Sequence, residues 1–321
     1  MISAPLRRLC LQLLLFPALS SPHAAAQSAE TSENPAVQVT MKNVMYHYSD
    51  SVTVHIFRVE GRFLPAKAGS MVVFDDKNSF TLALDSAEIA IGCNALAKVL
   101  NENVFSSADA PITDLTIESK ANVLIIKGRF HQKGNVPFEA TGTLTANGDG
   151  RIRLHTEHVK AAHLPVKGLM DLLGIDLAGL INTNKVRGVE VEKDDLILDP
   201  EQILPPPHIQ GRVTSVRVQG DEIVQVFGSR GVPPSPLAAQ QRGNYMAFRH
   251  SEMRFGKLTM HDADLIMIDM DPRDPFDFFL DHYQEQLVAG YAKSTPAYGL
   301  RVYMRDYSQL RARPPRQTET K

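Results

Sequence analysis

Apolar and polar residues alternate with a period of two along much of this chain. Val52, Val54 and Ile56 are separated by Thr53 and His55, and Phe80, Leu82 and Leu84 repeat the arrangement. So do Ile152 and Leu154, Val189 and Val191, Leu196 and Leu198, and Val216 and Val218. Each run reads as a strand with one buried face. Asn147-Gly148-Asp149-Gly150 lies between strands predicted at 139–146 and 151–159, and Gly220-Asp221 between 212–219 and 222–227. Both are turn sequences. The pattern predicts a long antiparallel meander. No helix alternates regularly with the strands, which argues against a parallel α/β sheet.

Two stretches break this alternation with helical spacing. The first starts at Asp85 or Ser86, a natural N-cap, with Glu88 in the first turn. Ile89, Cys93, Leu96, Leu100 and Val104 follow at steps of three or four and form one apolar stripe. Cys93 sits on that stripe with no His or Lys beside it, so it reads as a packing thiol. The second stretch is Leu164 to Ile181, where Leu169, Leu172, Leu173, Leu177, Leu180 and Ile181 make a wide apolar face. Gly168, Gly174 and Gly179 lower its helix propensity. Such a helix is buried in the core or packs over something apolar that need not be protein.

Gly and Pro from Gly228 to Pro236, then Gln240 to Gly243, mark a linker at 229–243. Beyond it, 246–255 and 257–268 are β-like. A helix is predicted with Asp274 as N-cap and Pro275 as its first residue. Its buried face is Phe276, Phe279, Leu280, Tyr283, Leu287 and Tyr291. A last strand, Leu300 to Met304, precedes a disordered polar tail at 311–321. Residues 244–310 thus read as a β–α–β extension, adding strands that complete the first sheet, whose edges need cover. The fold class is α+β, mainly antiparallel β, with this C-terminal α/β extension.

The N-terminus changes the picture of where the protein works. Arg7 and Arg8 precede the apolar run Leu9 to Leu19, and Ala24-Ala25-Ala26 offers a cleavage site. The run is shorter than the about 20 residues needed to span a bilayer. Residues 1–26 read as a signal peptide and 27–37 as a disordered lead-in, so the protein is expected in the periplasm or extracellular space. No later segment approaches spanning length, so the mature part is expected to be soluble or peripheral. Of 34 basic and 36 acidic residues, the leader holds only two arginines, which leaves a formal charge of −4. That gives no electrostatic reason to expect nucleic acid. Cys10 leaves with the leader, and a lone Cys93 excludes an intramolecular disulfide or a cysteine zinc cluster.

Three stretches carry a resemblance. LTIESKANVLIIKGRF (115–130), VPFEATGTLTANGDGRIRLHTEHVKAAHLPVKGLMDLLGIDL (136–177) and VRGVEVEKDDLILDPEQILPPPHIQGRVTSVRVQGDEI (186–223) follow an amphipathic segment. The strand–turn–strand ending in VKAAHLPV, the Leu-rich segment after it and the strand end from Asp195 to Pro200 resemble bacterial phospholipid-binding proteins related to the tubular lipid-binding (TULIP) superfamily. The resemblance covers about 190 of 321 residues, within a domain at 38–228. It implies a long curled antiparallel sheet wrapping amphipathic helices around an apolar groove. It further implies a phospholipid or other apolar ligand, peripheral contact with a membrane surface, no cofactor and no catalysis. The groove would be lined by Ile89, Leu96, Leu100, Val104, Leu169, Leu172, Leu173 and Leu177.

Chemistry-bearing clusters are few. From His261 to His282 the chain holds Asp262, Asp264, Asp269, Asp271, Asp274, Asp277 and Asp281, residue types that suit a hard or borderline metal. Their spacing fits no ligand loop, and Asp274 as a cap with Asp277 and Asp281 on a polar helix face is the plainer reading. There is no G-x-S-x-G, H-E-x-x-H or P-loop. His155 and His158 have opposite parity, which predicts opposite sheet faces, and His163 lies further along the strand exit. Lys185, Arg187, Arg212 and Arg217 read as a solvated strand face before a phosphate-binding rim. A lipid-binding or lipid-shuttling protein is the first reading. An envelope interaction module is the second, and a metal-dependent hydrolase using 261–282 the third.

Overall fold

The computed structural model of the chain describes residues 36–131, 135–161, 164–166, 187–228 and 242–311. It opens with β1 (Val37–His47), β2 (Thr53–Pro65), a two-residue β3 (Val72–Val73) and β4 (Phe80–Gly92). Helix α1 (Cys93–Val99) runs into a π-helical turn, Leu100–Val104. Next come β5 (Ile112–Lys120), β6 (Val123–Phe130), β7 (Val136–Ala146), β8 (Ile152–Ala161) and β9 (Leu164–Val166). β10 (Val189–Glu192) and β11 (Asp195–Leu198) lead through a one-turn α2 (Pro200–Ile203) to β12 (His208–Gln210), β13 (Val213–Gln219) and β14 (Glu222–Gly228). After residue 242 come β15 (Tyr245–Arg249), β16 (Met253–Phe255), β17 (Leu258–Met260), β18 (Asp264–Asp269) and β19 (Phe276–Phe279). A 3-10 turn, α3 (Tyr283–Ala289), β20 (Tyr291–Ser294), β21 (Leu300–Met304) and α4 (Tyr307–Arg311) complete the described chain.

Mostly antiparallel β-sheet with few helices is what the alternation predicts and what these residues form. The single meander is replaced by separate sheets. An eleven-stranded sheet runs β13-β14-β4-β2-β1-β15-β18-β21-β20, with β12 on β4 and β19 on β1. A seven-stranded sheet runs β10-β11-β8-β7-β6-β5, with β9 on β8, and a small sheet joins β17, β16 and β3. The C-terminal strands continue the first sheet, because β15 is antiparallel to β1 from Gln38 to Lys42. Four pairings are parallel: β12 on β4, β19 on β1, β21 on β18 and β16 on β3. Asn43, at φ 51°, marks the point where β1 exchanges β15 for β19 as its neighbour.

Three helix expectations are corrected, one of them at the start of the Leu164–Ile181 segment, where Leu164–Val166 is strand β9 paired with β8. Residues 85–92 continue β4, and α1 starts only at Cys93, after Gly92 with no side-chain cap. Asp85 pairs with Arg62 at 3.0 Å, and Ser86 accepts from Arg58 Nη1 at 2.8 Å. β4 lies between β2 and β14 and buries residues on both faces, so the period-two signature that would mark a strand is lost there. Likewise, 276–279 is strand, and the helix begins at Tyr283, so Asp274 caps nothing. Phe276 and Phe278 are fully buried at a spacing of two, and their partner is the second half of β1, distant in sequence. The 246–268 region is four short strands where two long runs are expected.

The main core is aromatic at its centre. Phe74 packs on Phe248 at 5.1 Å, Phe255 at 5.2 Å and Phe278 at 6.0 Å, which fixes the small sheet against β15 and β19 of the large one. Burying each such ring is worth roughly 1.5–3 kcal/mol.

Candidate functional site

The seven-stranded sheet presents its apolar positions to α1 and the π-helical turn. Leu124 and Ile126 of β6, Phe138 and Ala140 of β7, and Leu154 and Thr156 of β8 occupy alternating positions on one face. Ile112, Leu115 and Ile117 of β5 join them, with a register shift between Thr113 and Thr116 that restores their common side. Val189, Leu196 and Leu198 close the opposite edge. Leu96, Leu100 and Phe105 cover the face, and a cavity of about 60 Å³ remains between the layers. Thr156 supplies the lining's one hydroxyl, and it donates to the Asp194 carbonyl. The lining therefore offers apolar surface and no group suited to acid–base or nucleophilic work.

Of the eight residues the sequence reading assigned to a groove, Leu96 and Leu100 line this cavity. Val104 is buried in the same core but does not face the space. Ile89 lies apart from them. It belongs to strand β4 and to a different apolar pocket of about 30 Å³, with Val54, Ile91, Leu204, Ile209 and Phe227. Leu169, Leu172, Leu173 and Leu177 lie outside the described residues, as do residues 1–35 and 229–241, the latter most of the linker expected at 229–243. The reading missed the inward residues of β5 to β8, β10 and β11. Their alternation was visible, but which sheet faces which helix is a tertiary fact.

The opposite face of the seven-stranded sheet corrects the histidine parity. Pairing shifts between Thr141 and Gly142, so Glu157 is an extra residue in β8. Leu154, Thr156 and Val159 point inward, and His155 and His158 are both exposed on the outer face. A bulge inverts parity beyond it. His155 Nδ1 lies 2.6 Å from Asp195 Oδ1. Of the basic residues near the strand ends, Arg217 pairs with Glu88 at 2.7 Å and Arg212 donates to the Gly148 carbonyl, while Lys185 lies outside the described residues.

The 261–282 acidic stretch is dispersed. His261 pairs with Glu252 at 2.9 Å, Asp264 with Arg301 at 3.2 Å, and Asp277 with His47 at 2.6 Å. Asp281 pairs with Lys77 at 2.9 Å, and His282 with Glu285 at 2.9 Å. Asp271, Asp274 and Asp306 do converge, with carboxylate oxygens within 4.8 Å of one another. Arg273 binds both oxygens of Asp271, at 2.7 and 2.6 Å, and holds its carboxyl below the ordinary range. Burial, reinforced by Asp269, Asp274 and Asp277, pushes Asp306 up to about 7. Cys93 is buried, and burial with Asp221 beside it raises its thiol to about 11, as an inert packing residue requires.

Among the described residues no helix is long and apolar enough to cross a membrane. Compared with known proteins, the chain matches no family model, no curated protein and no solved structure.

Proposed function

We propose that this chain is an exported, non-catalytic protein that binds a phospholipid or another acyl lipid and shuttles it within the cell envelope. The observation that carries the reading is the lining of the cavity beneath β5 to β8, where every residue but Thr156 is apolar and Thr156 is satisfied elsewhere. An acyl chain there would be held by the hydrophobic effect, at about 0.8 kcal/mol per buried methylene. Specificity would come from length, since no polar group is placed to read a head group. The signal-like residues 1–26 and the resemblance to TULIP-related phospholipid-binding proteins support the same reading. In it, the seven-stranded sheet corresponds to the sheet that curls around the lipid.

Native mass spectrometry of the purified mature chain, followed by solvent extraction, tests this. A bound mass that resolves into acyl lipid is the expected result. A lipid-free protein that also fails to bind a fluorescent fatty acid in titration would overturn it.

One observation favours a second reading, an envelope interaction module. β20 ends the large sheet with all four residues exposed, and Tyr298 beyond it and Val288 before it are exposed almost completely. A co-purifying protein, with no extractable lipid, would favour that alternative.

A further inference from the structure

The cavity, at about 60 Å³, is far smaller than the roughly 300–1,000 Å³ of an ordinary ligand pocket. An acyl chain can occupy it only if one of its walls moves. Its cover from Cys93 to Phe105 is built unlike its floor. The floor strands β6 and β7 are bonded to each other along seven consecutive residue pairs. The cover meets the described chain through far fewer polar contacts. At its start the Cys93 N–H donates to the Asp221 carbonyl at 2.9 Å. In its middle the Asn101 side chain donates from Nδ2 to the Leu115 carbonyl at 2.8 Å and accepts from the Leu115 N–H, on Oδ1, at 3.0 Å.

That second contact exists because β5 is interrupted. Asp114 has φ 55°, and the register slips between Thr113 and Thr116, so Gly128 of β6 faces two residues. A Cβ at Gly128 would lie 3.0 Å from the Phe138 ring and 3.1 Å from the Thr113 carbonyl oxygen, so a side chain there would crowd both. Leu115 is thereby left out of the ladder, on an edge strand, with both backbone groups needing partners. The Asn101 carboxamide supplies both, as a peptide group of a neighbouring strand would. The winding is also irregular there. The Phe105 N–H bonds Leu100 five residues back, at 2.8 Å, in the π-helical turn, a form found mostly in single turns and often at functional sites. Leu100 and Phe105, at the two ends of that turn, both face the cavity.

We propose that Cys93–Phe105 is a flap through which an acyl chain reaches the cavity, hinged at the Cys93–Asp221 contact and latched by Asn101 on Leu115. This rests on the lipid-binding reading above. Opening requires release of the two Asn101 bonds and separation of Leu96, Leu100 and Phe105 from the sheet, and it also moves the buried Ala97, Val99 and Val104 of the same segment. The floor strands keep their ladders throughout. The latch controls how fast a chain enters and leaves, and the apolar lining controls how tightly it is held.

Stopped-flow binding of cis-parinaric acid to the full chain, compared with Asn101→Ala and Asn101→Leu, separates these roles. Losing two hydrogen bonds from the closed state is expected to raise association and dissociation rates together, each about tenfold, with little change in Kd. Unchanged rates in a folded variant would overturn the flap and leave the cavity reading standing. If the unaltered chain binds no cis-parinaric acid, the cavity reading falls and the flap with it. Hydrogen exchange on the unaltered protein guards against a variant that does not fold. The Leu115, Phe105 and α1 amides are expected to open as one unit, well before those of β6 and β7, and to slow when the fatty acid binds. Protection of α1 equal to that of β6 would refute the flap.

Discussion

His47 Nε2 lies 2.6 Å from Asp277 Oδ1, and the contact joins the second half of β1 to β19, the strand it meets in parallel. His47 Nδ1 is 3.1 Å from Thr53 Oγ1 on the neighbouring β2, and the Ser308 N–H donates to Asp277 Oδ2 at 2.9 Å. One imidazole and one carboxylate thus connect β2, β1, β19 and the start of α4. Burial pushes the Asp277 carboxyl up, but the hydrogen bonds from His47 and Ser308 outweigh it and hold the group below the ordinary carboxylate range.

His47→Ala is therefore expected to destabilise the protein by about 1–3 kcal/mol, because it leaves the partly buried Asp277 short of a partner. Urea unfolding at neutral pH measures it. A lowered carboxyl pKa contributes stability that is present above the unfolded value, near 3.9, and disappears as pH falls through the lower folded value. Unfolding of the unaltered chain below about pH 4 should show this loss, and His47→Ala should show less of it.

Asp306 has the opposite sign. Its folded pKa, about 7, is well above the unfolded one, so the folded state binds more protons between about pH 4 and 7 and stability falls as pH rises through that window. Asp306→Asn is expected to flatten the stability profile there and to be the more stable protein at pH 8, by a gain on the order of 1–3 kcal/mol. Thermal midpoints from pH 4 to 8 decide it. Parallel curves for the two proteins would show that Asp306 is ionised throughout.

Leu96 and Ile89 provide a paired test of where the lipid lies. Leu96→Asp puts a carboxylate into an apolar cavity and should abolish lipid retention, whereas Ile89→Ala, in the other pocket, should leave it intact. Extraction and mass spectrometry of the two folded variants read this directly. Retention lost in Ile89→Ala and kept in Leu96→Asp would place the lipid elsewhere.

Gly142 faces the bulge in β8, and a Cβ there would lie 2.4 Å from the His155 carbonyl oxygen. Neither backbone can yield without breaking the β7–β8 ladder. Gly142→Ala should cost more than about 1 kcal/mol and lower the unfolding midpoint accordingly. Phe74→Ala, at the centre of the aromatic cluster, should cost about 3–5 kcal/mol.

The chain's own pattern determined the strands that have one wet face. Alternation at Ile152 and Leu154, Val189 and Val191, or Val216 and Val218 is set by the two-residue repeat of a strand, and it survives in the fold. The Asn147–Gly150 and Gly220-Asp221 turns were legible for the same reason, because their chemistry is local. Leu96 and Leu100 were legible as an apolar stripe whose destination was not. Tertiary structure decided the rest. Residues 85–92 of β4 read as helix because they bury side chains on both faces, which removes the alternation, and β19 because its ladder partner, the second half of β1, is distant in sequence. His155 and His158 share a face because one bulged residue inverts parity, and no spacing rule contains that residue in advance. The cavity itself depends on which face of one sheet meets which side of α1. That pairing is fixed by long-range packing, in which many apolar side chains fit together at once, and no single segment carries it.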